Sequence, residues 1–191
     1  MTKKVVRNQV LELMNSMDRD EHKRLSLDIV NQLLQSAEFR HAHTIGLTIS
    51  SFPEVDTRPL IEAAWRSGKR VAVPKCIRET RDMDFRLINS YTNLETVYMN
   101  LLEPIVTETV AVEKDAIDLQ VVPGVVYSSE GYRIGFGGGY YDRYLADYKG
   151  HRLSLAFDCQ TNGAVPVESH DIPVQTIFTA TKIVICQENG V

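Results

Sequence analysis

Cysteine is scarce: Cys76, Cys159 and Cys186 are the three in 191 residues, odd in number and far apart. That excludes a disulfide frame or a zinc site and reads as reduced thiols in a cytoplasmic protein. No apolar run reaches the ~18 residues of a membrane-spanning helix. The start, Met1-Thr2-Lys3-Lys4-Val5-Val6-Arg7, is charged and leads into no apolar stretch, which argues against a secretory signal. Positive charge is not in excess either. With 21 Lys and Arg against 25 Asp and Glu, the net charge of −4 argues against nucleic acid or an anionic membrane as partner. The histidines make no metal-ligand spacing, and there is no Gly-x-Ser-x-Gly nucleophile turn. Gly-x-x-x-x-Gly-Lys-Ser/Thr is missing too, so this is no P-loop protein. Internal repeats, low-complexity tracts and linkers are also absent, and residues 1–191 are expected to form one domain.

What is present is an alternation of periods. Val6, Val10, Leu13 and Met17 give one helical stripe. Asp18 with Glu21 predicts the start of a second helix carrying Leu25, Ile29 and Leu33. Thr44–Ile49 reads as a strand, and a helix follows from about Pro59 to Ser67, with Gly68 past its end. Further strands are expected at Arg70–Pro74, Asp84–Ile88, Ile117–Val122, Val125–Tyr127, Leu153–Phe157 and within Ile177–Ile185. Apolar strands alternating with helices predict an α/β fold, a three-layer sandwich with a mainly parallel sheet flanked by helices. Ligands in such sheets bind beyond the carboxyl ends of the strands.

The densest signal is Arg133-Ile134-Gly135-Phe136-Gly137-Gly138-Gly139-Tyr140-Tyr141-Asp142-Arg143. Glycine leaves backbone N–H groups unshielded and free to take positive φ, so they can converge on an anion. Apolar residues at 141, 144, 145 and 148 predict a helix beginning just after the loop, a ready phosphate site. The plainer alternative is a turn that lets strand and helix pack closely. Tyr140 stands where a Gly-x-Gly-x-x-Gly fingerprint needs its last glycine, so a dinucleotide loop is excluded.

Other residues carry paired readings. Lys3 and Arg7 share one helix face and either clamp phosphates or solvate a chain end. Glu54 follows the first strand and is placed to hold a polar ring, whereas Asp56 or Thr57 reads as a helix cap. Lys75 either faces the same crevice or is a surface lysine. Asp142 and Asp171 offer hard oxygen ligands for a phosphate-bound Mg²⁺; the alternatives are a helix-terminal charge and a turn residue. Spacing alone does not bring those two together.

The glycine-tyrosine box, preceded by Val122-Pro123-Gly124-Val125-Val126-Tyr127, resembles the signature of the 5-formyltetrahydrofolate cyclo-ligase family, also called 5,10-methenyltetrahydrofolate synthetase. The likeness spans nearly the whole chain. It takes in Lys3-x-x-x-Arg7, Glu54-Val55-Asp56-Thr57, Val73-Pro74-Lys75, Met83-x-Phe85, Leu102-Glu103-Pro104, Val165-Pro166 and His170-Asp171. The resemblance implies a cytoplasmic enzyme of one-carbon metabolism acting on 5-formyltetrahydrofolate, with ATP as co-substrate and Mg²⁺. It assigns ATP to Lys3, Lys4, Val5, Val6 and Arg7, and to Arg133, Ile134, Gly135, Phe136, Gly137, Gly138, Gly139, Tyr140 and Tyr141. It places folate at Ile49 and Glu54, and the metal at Asp142 and Asp171. Some members carry basic residues where this chain has Phe136 and Gly138. Backbone N–H groups, Arg133 and Lys75 are therefore expected to supply more of the phosphate contact. A non-catalytic nucleotide or sugar-phosphate binder of similar fold is the competing reading.

Overall fold

The computed structural model describes residues 2–161 and 163–186. Its frame is an eight-stranded sheet. The strands are β1 (Thr44–Gly46), β2 (Arg70–Ile77), β3 (Asp82–Ile88), β6 (Val110–Ala111), β7 (Leu119–Val121), β10 (His151–Leu155), β11 (Thr176–Phe178) and β12 (Ile183–Ile185), in the order β12-β11-β10-β7-β1-β2-β3-β6. From β11 to β2 every neighbour is parallel; β12, β3 and β6 join antiparallel at the edges. Two ribbons stand apart from the sheet. One pairs β4 (Leu94–Thr96) with β5 (Leu102–Pro104); the other pairs β8 (Val126–Tyr127) with β9 (Arg133–Ile134).

Alternation along the strands makes two cores. Val71, Val73, Leu119, Leu153 and Phe178 pack with helices α1 (Lys3–Asn15), α2 (Arg19–Leu34), α3 (Ala37–His41) and α4 (Arg58–Arg66). Ala72, Phe85, Ile117 and Ile177 pack with Tyr144, Leu145 and Tyr148 of α5 (Tyr140–Leu145) and the turn after it. The expected helix–sheet–helix architecture is thus present, with most of its helices on one face. Because one-residue neighbours in a strand point to opposite faces, Val71 and Ala72 serve different cores.

Several expectations are corrected. The α1 stripe is Val6, Val10 and Met14, while Leu13 is more than half exposed. The predicted step to Leu13 turned the helix about 100° too little. β1 ends at Gly46; the Leu47 N–H still bonds the Ala72 carbonyl at 3.0 Å, and Thr48 and Ile49 line the site beyond it. Pro123-Gly124 ends β7, so Val126–Tyr127 forms a separate ribbon rather than a sheet strand. The expected cap of α4 is divided: Thr57 stands at the N-cap position without a side-chain cap bond, and Asp56 Oδ1 accepts the Arg58 N–H at 3.0 Å. Thr57 instead ties the preceding loop: its hydroxyl donates to the Thr48 carbonyl and accepts from the Ser50 N–H.

Candidate active site

The strand order reverses at β1, with β2 on one side and β7 on the other. Loops leaving β1 and β7 therefore splay apart and open a crevice at their carboxyl ends. Thr48, Ser50, Glu54 and Thr57 from the first loop face Pro123 and Gly124 from the second. The β1–α4 loop is held from α2, one turn apart: His22 Nε2–H donates to the Glu54 carbonyl at 2.7 Å, and Ser26 Oγ accepts the Asp56 N–H. Both side chains are buried, and sequence reasoning missed them because a polar pair at i, i+4 also reads as an exposed face.

Outward of this loop lies a cavity of about 410 Å³ lined by Arg19, Ile49, Phe52, Glu54, Asn100 and Leu102, among others. Ile49 and Glu54, the two predicted folate positions, thus share one cavity. Burial pushes the Glu54 carboxyl up from its usual range, and a long 3.4 Å bond from the Ser51 N–H offsets this only in part. A half-buried acceptor with free lone pairs beside an open cavity suits a ring rich in N–H donors.

The ribbon of β8 and β9 carries the glycine loop to α5. Gly137 and Gly139 take left-handed φ of 101° and 71°. Gly138 does not; there a Cβ would lie 2.7 Å from the Tyr140 ring, so space rather than φ demands glycine. α5 is six residues long and ends at Leu145, short of the expected Tyr148. Anion attraction here therefore rests on the loop's N–H groups more than on a helix dipole.

Helix α1 reaches this loop. Arg7 Nη1 donates to the Gly135 carbonyl at 3.4 Å. Lys3 Nζ pairs with Glu168 at 2.6 Å and with Asp171 at 3.0 Å, so it is no solvated chain end. Lys4 and Val5 are exposed, while Val6 is a core residue whose side chain is turned from the loop's ligand space. Arg133 is buried, donating to the Ile172 carbonyl at 2.7 Å and to Asp142 at 3.2 Å. Ile134 is likewise buried, and Phe136 is exposed. Lys75 is ion-paired with Glu95 at 3.0 Å and Glu103 at 3.1 Å. Neither Arg133 nor Lys75 is left free for the extra phosphate contact expected of it.

The segments of the two predicted metal carboxylates meet: Asp142 Oδ1 accepts the N–H of Ile172, the residue after Asp171, at 3.1 Å. Burial disfavours the Asp171 anion, but the Glu168 N–H and Lys3 outweigh it and hold the carboxyl below its usual range. Oδ1 of Asp142 and Oδ2 of Asp171 are engaged in hydrogen bonds; Oδ1 of Asp171 lies 3.6 Å from His170 Nε2, and Oδ2 of Asp142 has no hydrogen bond among the described residues. Two hard anionic ligands beside a phosphate cradle fit Mg²⁺, which takes one or two protein carboxylates and fills its shell with water and phosphate. Tyr141 follows the glycine loop in the first turn of α5. Its hydroxyl is buried without a hydrogen-bond partner among the described residues, and burial, with Cys76, Tyr144 and Glu54 adding to it, raises its pKa well above the ordinary value.

A family model described as the 5-formyltetrahydrofolate cyclo-ligase family matches residues 1–180. The chain belongs to that family. It is 36% identical over 148 residues to the 5-formyltetrahydrofolate cyclo-ligase of Escherichia coli K12, covering 74% of this chain and 80% of the relative. The Mus musculus enzyme of the same name is 26% identical over 188 residues, covering 92% of each. Among solved structures, the Aquifex aeolicus 5,10-methenyltetrahydrofolate synthetase superposes with a TM-score of 0.86 at 29% identity, covering 100% of this chain and 96% of that one. Family membership accounts for a glycine loop and a Glu54 cavity on one sheet edge. No helix among the described residues is long and apolar enough to cross a membrane.

Proposed function

We propose that this chain converts 5-formyltetrahydrofolate to 5,10-methenyltetrahydrofolate with ATP as co-substrate, releasing ADP and phosphate. The observation that carries the reading is the pairing, in one fold, of a glycine loop bonded by Arg7 and followed by Asp142 with the Glu54 cavity beyond β1. The formyl group on the 5-nitrogen is an amide, and resonance makes its carbon a poor electrophile. Transfer of the γ-phosphoryl group to the formyl oxygen turns that oxygen into a leaving group. The 10-nitrogen then attacks the carbon, its proton is lost, the ring closes and phosphate departs.

This chemistry asks the protein for alignment and charge neutralisation, not for a nucleophile. Loop N–H groups from Phe136 to Gly139 and the Arg7 guanidinium hold the phosphates. Glu54 and Ile49 seat the pterin so that its formyl oxygen faces the loop. Asp142 and Asp171 would hold Mg²⁺, which when bound neutralises phosphate charge. The reading assigns both subsites to one domain over residues 1–191 in a cytoplasmic enzyme.

The test is to mix the protein with 5-formyltetrahydrofolate and Mg²⁺, with and without ATP, and follow the methenyl chromophore. Conversion is expected only with ATP and Mg²⁺ together, at one ADP per methenyl product. Conversion without ATP refutes the mechanism. ATP loss with the folate unchanged also refutes it, and nucleotide binding without turnover supports a non-catalytic binder.

A further inference from the structure

Most of the positive charge around the glycine loop is already matched. Arg133 faces Asp142, Lys3 faces Glu168 and Asp171, Lys75 faces Glu95 and Glu103, and Arg143 faces Asp82 at 3.3 Å. Residues 134–141 contain no Lys or Arg. Two guanidinium groups bond the loop itself and have no acidic partner among the described residues. Arg7 donates to the Gly135 carbonyl; Arg81 Nη1 donates to the Gly138 carbonyl at 3.0 Å. They grip the loop at two points three residues apart.

Arg81 reaches the loop from another part of the fold. β2 and β3 pair from Val71–Ile88 out to Ile77–Asp82, the longest ladder in the sheet, and the four-residue turn 78–81 closes it. Asp82, next to Arg81, is the partner of Arg143 on α5, so the hairpin tip is pinned to the helix that follows the loop. Arg81 itself holds a left-handed φ of 60°, a conformation glycine takes without strain. A long, exposed cation at a position that suits glycine points to use of its side chain.

We infer that Arg81 is a phosphate-binding residue of the nucleotide site, supplying from the β2–β3 hairpin the positive charge that the glycine loop lacks. The inference rests on the ATP reading above. One N–H on the Gly138 carbonyl fixes the guanidinium against the loop, and its remaining donors stay available for phosphate oxygens. The carbonyl bond alone gives a weak reason for arginine, because a bond so exposed adds little to folding.

Calorimetry with a non-hydrolysable ATP analogue and with adenosine, on wild type, Arg81→Gln and Arg81→Gln with Phe136→Arg, tests this. Arg81→Gln is expected to weaken the analogue about tenfold, the lower end for a charged hydrogen bond because the site is exposed. Adenosine affinity and the melting temperature stay unchanged. Phe136→Arg, at an exposed loop position, returns much of the lost affinity by placing a cation on the loop itself. Unchanged analogue affinity overturns the inference while leaving the ATP reading in place. Equal losses for analogue and adenosine, or a lowered melt that Phe136→Arg does not rescue, would show that Arg81 only braces the loop. If wild type binds neither analogue nor adenosine and forms no methenyl product, the inference falls together with the reading beneath it.

Discussion

Glu54→Gln separates the folate subsite from the nucleotide subsite and reads two quantities with opposite signs. The carboxylate lies at the edge of the 410 Å³ cavity, and its one hydrogen bond among the described residues, from the Ser51 N–H, is long at 3.4 Å. Hydrogen bonds from pterin N–H groups to a charged acceptor contribute about 1.5–3 kcal/mol. Replacing the charge by an amide is therefore expected to weaken folate binding roughly ten- to a hundredfold, at ~1.4 kcal/mol per decade. ATP affinity without folate should hold, because the glycine loop and Arg7 are separate elements. Stability should move the other way. Burial raises the Glu54 pKa in the fold, so between the unfolded value of about 4.3 and the higher folded value the native state binds more protons. Stability of the wild type thus falls as pH rises through that window, and glutamine is spared the loss. The mutant should melt higher than wild type at pH 7, with the gap closing toward pH 4. Paired titrations and melts across pH decide. A lower mutant melt at pH 7, equal losses for both ligands, or a loss for ATP alone would refute the placement of Glu54.

Gly138→Val drives a branched side chain into the space of the Tyr140 ring, 2.7 Å from the Cβ position, and should weaken ATP binding with little change in the melt. Unchanged affinity by calorimetry would make the loop a packing turn. Asp142→Asn should raise the Mg²⁺ concentration for half-maximal rate, and it also leaves the buried Arg133 guanidinium facing a neutral partner, so the melt should drop as well. A drop in the melt with the same magnesium dependence would reduce Asp142 to Arg133's counter-ion.

The fold was legible where a pattern is local. Pro59 at the start of α4 and Asp18 at the start of α2 each act within a few residues, and both helices formed where expected. Errors fell where tertiary contacts decide. The step between Leu13 and Met14 depends on which side α1 offers the sheet. Val126–Tyr127 has the composition of a sheet strand, but Pro123-Gly124 redirects the chain and its partner becomes Arg133–Ile134.

The site was legible in its residue types and less so in its pairings. Glycines, Glu54 and the two aspartates point to their proposed chemistry by kind, since phosphate, pterin and Mg²⁺ each demand particular groups. Which cation meets which acid is a different question, because those partners lie far apart in the chain. Lys3 is 168 residues from Asp171, and Arg81 is 57 from Gly138. Arg133 shows the consequence: by position it looked like a phosphate ligand, yet burial obliges its charge to find a partner, and Asp142 with the Ile172 carbonyl satisfies it. Arg81 is the converse. Nothing in Arg78-Glu79-Thr80-Arg81 sets it apart from a polar turn, and only the length of the β2–β3 ladder carries its guanidinium to the loop. A cation's role here follows from what is left to compensate it, and that is set by the fold rather than by its neighbours in sequence.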